Sequence, residues 1–288
     1  MKSNNNQHSP PDTTLTRYTH QWGVTSVPFT GDHPQDYQQD HDQVYQAHQH
    51  LTQSAALRSL MLLSGPNGIG KSRLLGHWRD QLNPRLYVPI AITQASLSHA
   101  GLLSYLARKL GKPSGTRSTN LMHLEEAFAE IGDKTAVIIL DEAQNYNQAA
   151  LEEVRLLLGI DLAKRPAFSL ILVGDDYLLG GLKLRSHRAL YTRIACHYHL
   201  APWKPEEIAQ LLLSSQKAVG HSETQLDSAA LDLVISASHG LPRMALQVAL
   251  AAWIVASKEK ATMITAKHVQ SILKMIPAVN DSQPPQTS

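Results

Sequence analysis

Eight consecutive residues, GPNGIGKS from Gly65 to Ser72, follow the spacing glycine, four residues, glycine, lysine, serine. That order suits a polyphosphate. Its glycines let backbone N–H groups turn inward around phosphate oxygens, the Lys71 ammonium reaches the outer phosphates, and the Ser72 hydroxyl can ligate Mg²⁺. Pro66, Asn67, Gly68, Ile69 and Gly70 make the body of the loop, Arg73 follows it, and the whole run Gly65 to Arg73 is expected to hold a nucleotide, ATP. The same letters elsewhere would be a glycine-rich turn with a chance lysine. Here the context decides: the apolar run SLMLLS reads as a buried strand before the loop. After it, Leu74, Trp78 and Leu82 fall on one face of a helix that stops at Pro84.

AVIILDE, Ala136 to Glu142, supplies the complementary chemistry. A continuous apolar run with β-branched residues suits a strand covered on both faces, and it delivers Asp141 to its C-terminal end. There Asp141 and Ser72 would share Mg²⁺, while Glu142 is placed to polarise an attacking water. A general base beside a metal carboxylate indicates an enzyme that hydrolyses ATP to ADP and phosphate, and argues against a small-molecule kinase.

Further strands and helices must position these groups. LYVPIAI reads as a strand whose Pro89 removes one ladder donor, which puts it at or near a sheet edge. SHAGLLSYLARKLG is a helix ending at Gly111, KPSGTRST is a loop carrying Lys112 and Arg117, and a helix runs from about Met122 to Ile131. QAALEEVRLLL is helical, AKRP carries Lys164 and Arg165, and FSLILVG is another fully apolar strand. Strands alternating with helices predict a parallel α/β sheet. After Pro202 the pattern is helices only, with starts at Pro205, Asp227, Pro242 and Thr265. The expected division is a polar tail over 1–12, a packing segment over 13–55 with apolar anchors Tyr18, Trp22, Val24, Val27 and Phe29, an α/β domain over 56–202, a small all-helical domain over 203–277 and a second tail over 278–288.

The 288 residues, 43% apolar and 17% charged, can bury a sizeable core, which excludes a wholly disordered chain. Net charge is only +2, so any claim on nucleic acid must rest on a local patch. Cys196 is the single cysteine, which excludes an intramolecular disulfide and a cysteine-rich zinc module and suits a reducing compartment. The start lacks the apolar core of a leader, and Met244 to Ala256, broken by Gln247, is shorter than the ~18 residues of a membrane span. A soluble cytoplasmic protein without a membrane partner is expected. Two histidine groups read as structural: His197 and His199 share one face of a possible strand with Cys196 pointing the other way, and His41 and His48 fall on a solvated helix face. The basic pairs Lys112 with Arg117 and Lys164 with Arg165 suit either solvated loops or contacts to a phosphate backbone.

The run LDEAQNYNQAALEEVRLLLGIDLAKRPAFSLILVGDDYL, together with WGVTSVPF upstream and HGLPRMAL downstream, resembles the AAA+ ATPases of the ExeA-like group, which includes the TnsC-type helper ATPases of DNA transposition. The resemblance covers about Tyr18 to Ile276 and implies a P-loop AAA+ parallel-sheet domain followed by a helical lid. It makes FSLILVG the sensor strand, whose tip is Asp175 where a neutral amide or hydroxyl is usual, so that Asp175 would orient a neighbouring arginine instead. It makes Arg243 the lid arginine that contacts nucleotide and Arg193, with Arg188 as substitute, the arginine supplied to the next subunit's nucleotide. The implied partners are further copies of the chain in a ring or helical filament, duplex DNA, a transposase and a target-selection protein; the basic pairs Lys112 with Arg117 and Lys164 with Arg165 are the expected DNA contacts from the residues themselves. The rival readings are a secretion-associated ATPase of the ExeA type, a non-hydrolysing nucleotide-switched scaffold and a defence NTPase. ExeA-type proteins continue into a membrane segment and a wall-binding domain, for which this sequence has no stretch.

Overall fold

The computed structural model describes residues 13–32, 41–93, 101–159, 168–221 and 223–276. They fall into two compact units: an α/β unit within Gln39–Ala201, and a helical unit drawn from Met1–Gln38 and Pro202–Ser288.

In chain order, α1 (Thr13–Trp22) belongs to the helical unit and α2 (Asp42–Leu57) opens the α/β unit. There follow β1 (Leu60–Ser64), α3 (Lys71–Gln81), β2 (Tyr87–Ile92), α4 (Gly101–Lys109), α5 (Arg117–Ile131), β3 (Thr135–Leu140), α6 (Gln148–Leu157), β4 (Phe168–Gly174), α7 (Asp176–Lys183), the short α8 (Arg188–Tyr191) and β5 (Ile194–His199). All five strands pair in parallel in the order β2-β3-β4-β1-β5. Every residue of β1, β3 and β4 is buried, as their unbroken apolar runs require of strands covered on both faces. Pro89 lies in β2 at one edge of the sheet, where a missing N–H costs least. Because Ser64 pairs with Gly174 and Leu140 with Leu172, the loops that follow β1, β3 and β4 leave the sheet side by side. That side-by-side exit assembles the site. Crossover helices cover the sheet around Leu62, Ile138 and Leu170, and Phe128 stacks on Phe168 at 4.9 Å.

The helical unit adds α9 (Pro205–Ala218), α10 (Ser228–Ser238), α11 (Pro242–Lys258) and α12 (Ala266–Leu273). Its centre is Trp253, fully buried, with Ala245, Ala249, Ala252 and Ala256 on the same helix giving its neighbours close approach. Trp22 lies 6.2 Å from the Trp253 ring and donates its indole N–H to Ser257 at 2.7 Å. Phe29, in a left-handed backbone conformation, donates its N–H to Ser215 at 2.8 Å. The anchors of WGVTSVPF therefore fill the helical core.

Several expectations change. The segment 13–55 serves both units, with α1 in one and α2 in the other. Arg117 is the first residue of α5, not a loop residue, because the Thr116 hydroxyl accepts the Thr119 N–H and caps the helix there. His41 is buried ahead of α2, off any solvated face, whereas His48 is half-buried on α2 and stacks on His77 at 5.7 Å. Burial lowers the His48 pKa, helped by His77. CHYH is a true strand, β5, the fifth of the sheet. Among the described residues no helix is long and apolar enough to cross a membrane.

Candidate nucleotide site

The loop Gly65 to Gly70 connects β1 directly to α3. Gly65 (φ 156°), Gly68 (φ 87°) and Gly70 (φ 102°) adopt backbone conformations that L side chains rarely reach. Gly65 is also sterically fixed: a Cβ there would stand 2.7 Å from the Leu200 carbonyl oxygen. Helix α3 begins at Lys71, so the amides of its first turn, including those of Lys71 and Ser72, form the positive end of the helix dipole. This is a ready anion cradle. Lys71 is buried, and its ammonium donates to the carbonyls of Gly65 at 2.6 Å and Pro66 at 3.2 Å. Burial lowers its pKa, and the carboxylates of Glu142, Asp141, Asp175 and Asp176 oppose that shift. One cation thus faces acids from the ends of β3 and β4.

Asp141 emerges from β3 buried, and its Oδ2 accepts the Ser72 hydroxyl at 2.9 Å. Its Oδ1 accepts the Glu142 N–H at 2.9 Å, and Glu142 itself turns into the left-handed region at φ 53°, ψ 38°. The two oxygens at Ser72 and Asp141 fit a hard divalent cation. Among the described residues no group of three or more His, Cys, Asp or Glu stands ready to hold a metal, so phosphate oxygens and water would complete the shell. That is the manner in which Mg²⁺, rather than a caged metal, is bound.

Gln144, Ser64 and Tyr146 were not visible as site residues in the sequence. Gln144 donates its amide N–H to Glu142 Oε2 at 2.7 Å and accepts the Asp175 N–H at 3.4 Å. Ser64, the buried last residue of β1, bonds through its hydroxyl to His197 Nε2 at 2.8 Å and His199 Nδ1 at 3.1 Å, and His199 lies 3.5 Å from Asp176. Cys196 faces the opposite way, toward His50. Tyr146 sits under the site with a buried hydroxyl; burial, with Asp141, pushes its pKa up to about 12. Only the DEAQ letters could have drawn attention to Gln144.

Asp175 is not placed as a polar sensor tip. Its Oδ1 accepts the Tyr177 N–H at 3.0 Å and caps α7, and no bond from it to an arginine is found among the described residues. Asn147 caps the start of α6 five residues after Glu142, whereas Arg193 donates to the carbonyl of Arg155 at the far end of that helix, 3.2 Å away. The eight-residue step from Asn147 to Arg155, about 12 Å of helix, separates them. Arg155 is itself tied to Glu152 through its Nε at 2.8 Å, which holds the Glu152 carboxyl below the usual range. Arg188, the alternative, is exposed at the start of α8. Arg243 is exposed in the first turn of α11 in the helical unit, where Gly240 lets the chain approach the Trp203 carbonyl and Pro242 starts the helix. Lys112 is committed to Glu130 at 2.7 Å and Glu126 at 3.4 Å, which raise its pKa. Lys164 and Arg165 lie outside the described residues.

A five-stranded parallel sheet in this order, with a phosphate loop after β1 and an acidic pair after β3, has the P-loop AAA+ fold. Residues 55–181 match the model of a family described as AAA domain. The chain is 24% identical over 239 residues to general secretion pathway protein A of Aeromonas hydrophila; the match takes in 79% of this chain and 42% of that protein, so it spans less than half of the relative. Among solved structures, Drosophila ORC bound to DNA aligns with a TM-score of 0.63 at 18% identity, covering 96% of this chain and 70% of that one. The Aeropyrum pernix ORC2 protein, in ADPNP–ADP complexes, aligns with a TM-score of 0.60 at 16% identity, covering 81% and 66%. The family match takes in under half of this chain, and the solved structures share its fold.

Proposed function

We propose that this chain binds and hydrolyses ATP, assembles with copies of itself when ATP is bound, and in that state binds duplex DNA with little regard to sequence. The observation that carries the reading is the continuous polar chain from Ser72 through Asp141 to Glu142 beside the buried Lys71. Residues Gly65 to Arg73 would wrap the phosphates, Lys71 would neutralise the outer ones, and Arg243 would read the nucleotide from the helical lid. Ser72 and Asp141 would hold Mg²⁺, which neutralises charge between the outer phosphates. Glu142 would take the proton of the attacking water. Arg193, or Arg188, would serve the nucleotide of the next copy, since it is bonded at the end of α6 remote from its own phosphate loop.

The finer reading is a cytoplasmic helper ATPase of DNA transposition that recruits a transposase, with or without a target-selection protein. It rests on the sequence resemblance and on the AAA+ fold, one neighbour of which is an ORC bound to DNA. A second reading, a secretion-associated ATPase, is favoured by the match to general secretion pathway protein A. With a net charge of +2, single copies should bind DNA weakly, and assembly would multiply modest contacts. Lys112 is occupied by its two glutamates, which leaves Arg117, Lys164 and Arg165 as the proposed contacts.

Fluorescence anisotropy on a random duplex at low salt, with a non-hydrolysable ATP analogue, tests the proposal. Cooperative, analogue-dependent binding that falls steeply with salt is expected, and it should weaken in Arg117→Glu. An assembled wild-type protein that leaves the duplex unbound would remove the DNA reading and leave the secretion-associated one.

A further inference from the structure

A carboxylate at the tip of β4 is a poor neighbour for an outer phosphate, and the structure employs Asp175 elsewhere, as the cap of α7. What reaches the tip of β4 is a neutral amide from another loop. Gln144 sits in a one-turn 3₁₀ helix, Ala143–Asn145, and its side chain joins the Glu142 carboxylate (2.7 Å) to the backbone N–H of Asp175 (3.4 Å). Chemistry fixes the orientation of the amide: a carboxylate requires the NH₂ end and a backbone N–H requires the oxygen.

The space for this side chain is built in. A Cβ at Gly174 would lie 2.7 Å from Gln144 Oε1 and 2.6 Å from Leu178 Cδ2, so a glycine ends β4 where the amide must pass. Glu142 also holds a left-handed backbone conformation, which a non-glycine residue keeps only when its surroundings enforce it. Gln144 supplies part of that enforcement. Its bond engages Oε2 of Glu142 and leaves Oε1 to receive a proton.

Resting on the ATPase reading above, we propose that Gln144 is the positioning residue of hydrolysis: it aims the Glu142 carboxylate and couples it to the end of β4, the task for which Asp175 has the wrong charge. The link completes a run of hydrogen bonds, Ser72 to Asp141 to Glu142 to Gln144 to the Asp175 backbone, that ties the start of α3 to the ends of β3 and β4. The charged groups around Lys71, namely Asp141, Glu142, Asp175 and Asp176, make a neutral linker necessary. A glutamate at 144 has no proton to give Glu142, a methionine matches the length without donor or acceptor, and an asparagine keeps the amide on a shorter stem.

The test uses the full chain, steady-state ATP hydrolysis and the binding of a fluorescent ATP analogue. Gln144→Met should lower kcat by at least about tenfold, the size of one hydrogen bond to a charged group, while KM and analogue affinity stay within about twofold. Gln144→Glu should fall further and Gln144→Asn less. A methionine variant with wild-type kcat would overturn the proposal, and so would a parallel loss of kcat, affinity and thermal stability, which marks a packing role. If Gln144→Met does not fold, the order of Gln144→Asn and Gln144→Glu decides: equal activities would overturn the proposal. Wild-type protein with no turnover overturns the ATPase reading itself and this one with it; active wild type with an unaffected methionine variant overturns this one alone.

Discussion

The two ends of α6 are built on opposite plans. At its start, the phosphate loop, Asp141, Glu142, Gln144 and Asp175 hold one another through hydrogen bonds that cross three loops of one chain. At its far end, Arg193 bonds to a backbone carbonyl and Arg155 to Glu152, and Arg188 is exposed on the neighbouring α8. The first plan preorganises a site within the chain, whereas the second fixes arginines on a surface without directing them at that site. A planar guanidinium held by one carbonyl is free to exchange it for a phosphate brought by a second molecule. On the proposed reading, half the machinery is internal, and the other half would act on a neighbour.

Substitutions at the internal end should have the largest effects. Lys71→Ala removes the buried cation among four carboxylates, and ATP affinity should fall by at least about 100-fold, the ~3 kcal/mol of one charge-assisted hydrogen bond. Binding of a fluorescent ATP analogue reads this directly, and unchanged affinity would refute the phosphate-loop assignment. Glu142→Gln should keep analogue binding and lower kcat by about 10³-fold, the usual worth of a general base. Equal losses of binding and turnover would instead make Glu142 a structural residue. Gly65→Ala must displace the Leu200 carbonyl, so its melting temperature should drop by the equivalent of about 1–3 kcal/mol of overpacking. Lys112→Ala sits at the small end of the series: its partners Glu126 and Glu130 are solvent-facing, and thermal stability and ATP affinity should both stay near wild type.

The same contrast explains what the sequence made legible. GPNGIGKS and AVIILDE name their own geometry, because a strand feeding a glycine loop and a strand ending in acids leave few conformations open. The buried strands β1, β3 and β4 were equally plain, since an apolar run covered on both faces needs no partner information. The edge strand β5 was harder: its residues alternate in exposure, and the polar set His197 and His199 masks the apolar set. Gln144 was not singled out because its role depends on Gly174, thirty residues away in sequence and adjacent only through the register of β3 and β4. The allocation of 13–55 was mixed for the same reason. Trp22 and Phe29 signal burial without naming the core they enter, and only the contacts with Ser257 and Ser215 assign them to the helical unit. Lys112 looked like a surface cation until α5 folded Glu126 and Glu130 beneath it.

The division of labour between the ends of α6 is tested most directly by mixing two inactive variants. Lys71→Ala lacks the phosphate contact but keeps its arginines, and Arg193→Ala keeps the phosphate loop but lacks one arginine; Arg188→Ala is run in parallel. If the arginines serve a neighbouring copy, ATP turnover of a mixture should exceed the sum of its two components and rise with total protein concentration, because mixed interfaces contain one complete site. Turnover equal to that sum for both arginine variants, at every concentration, would contradict the account.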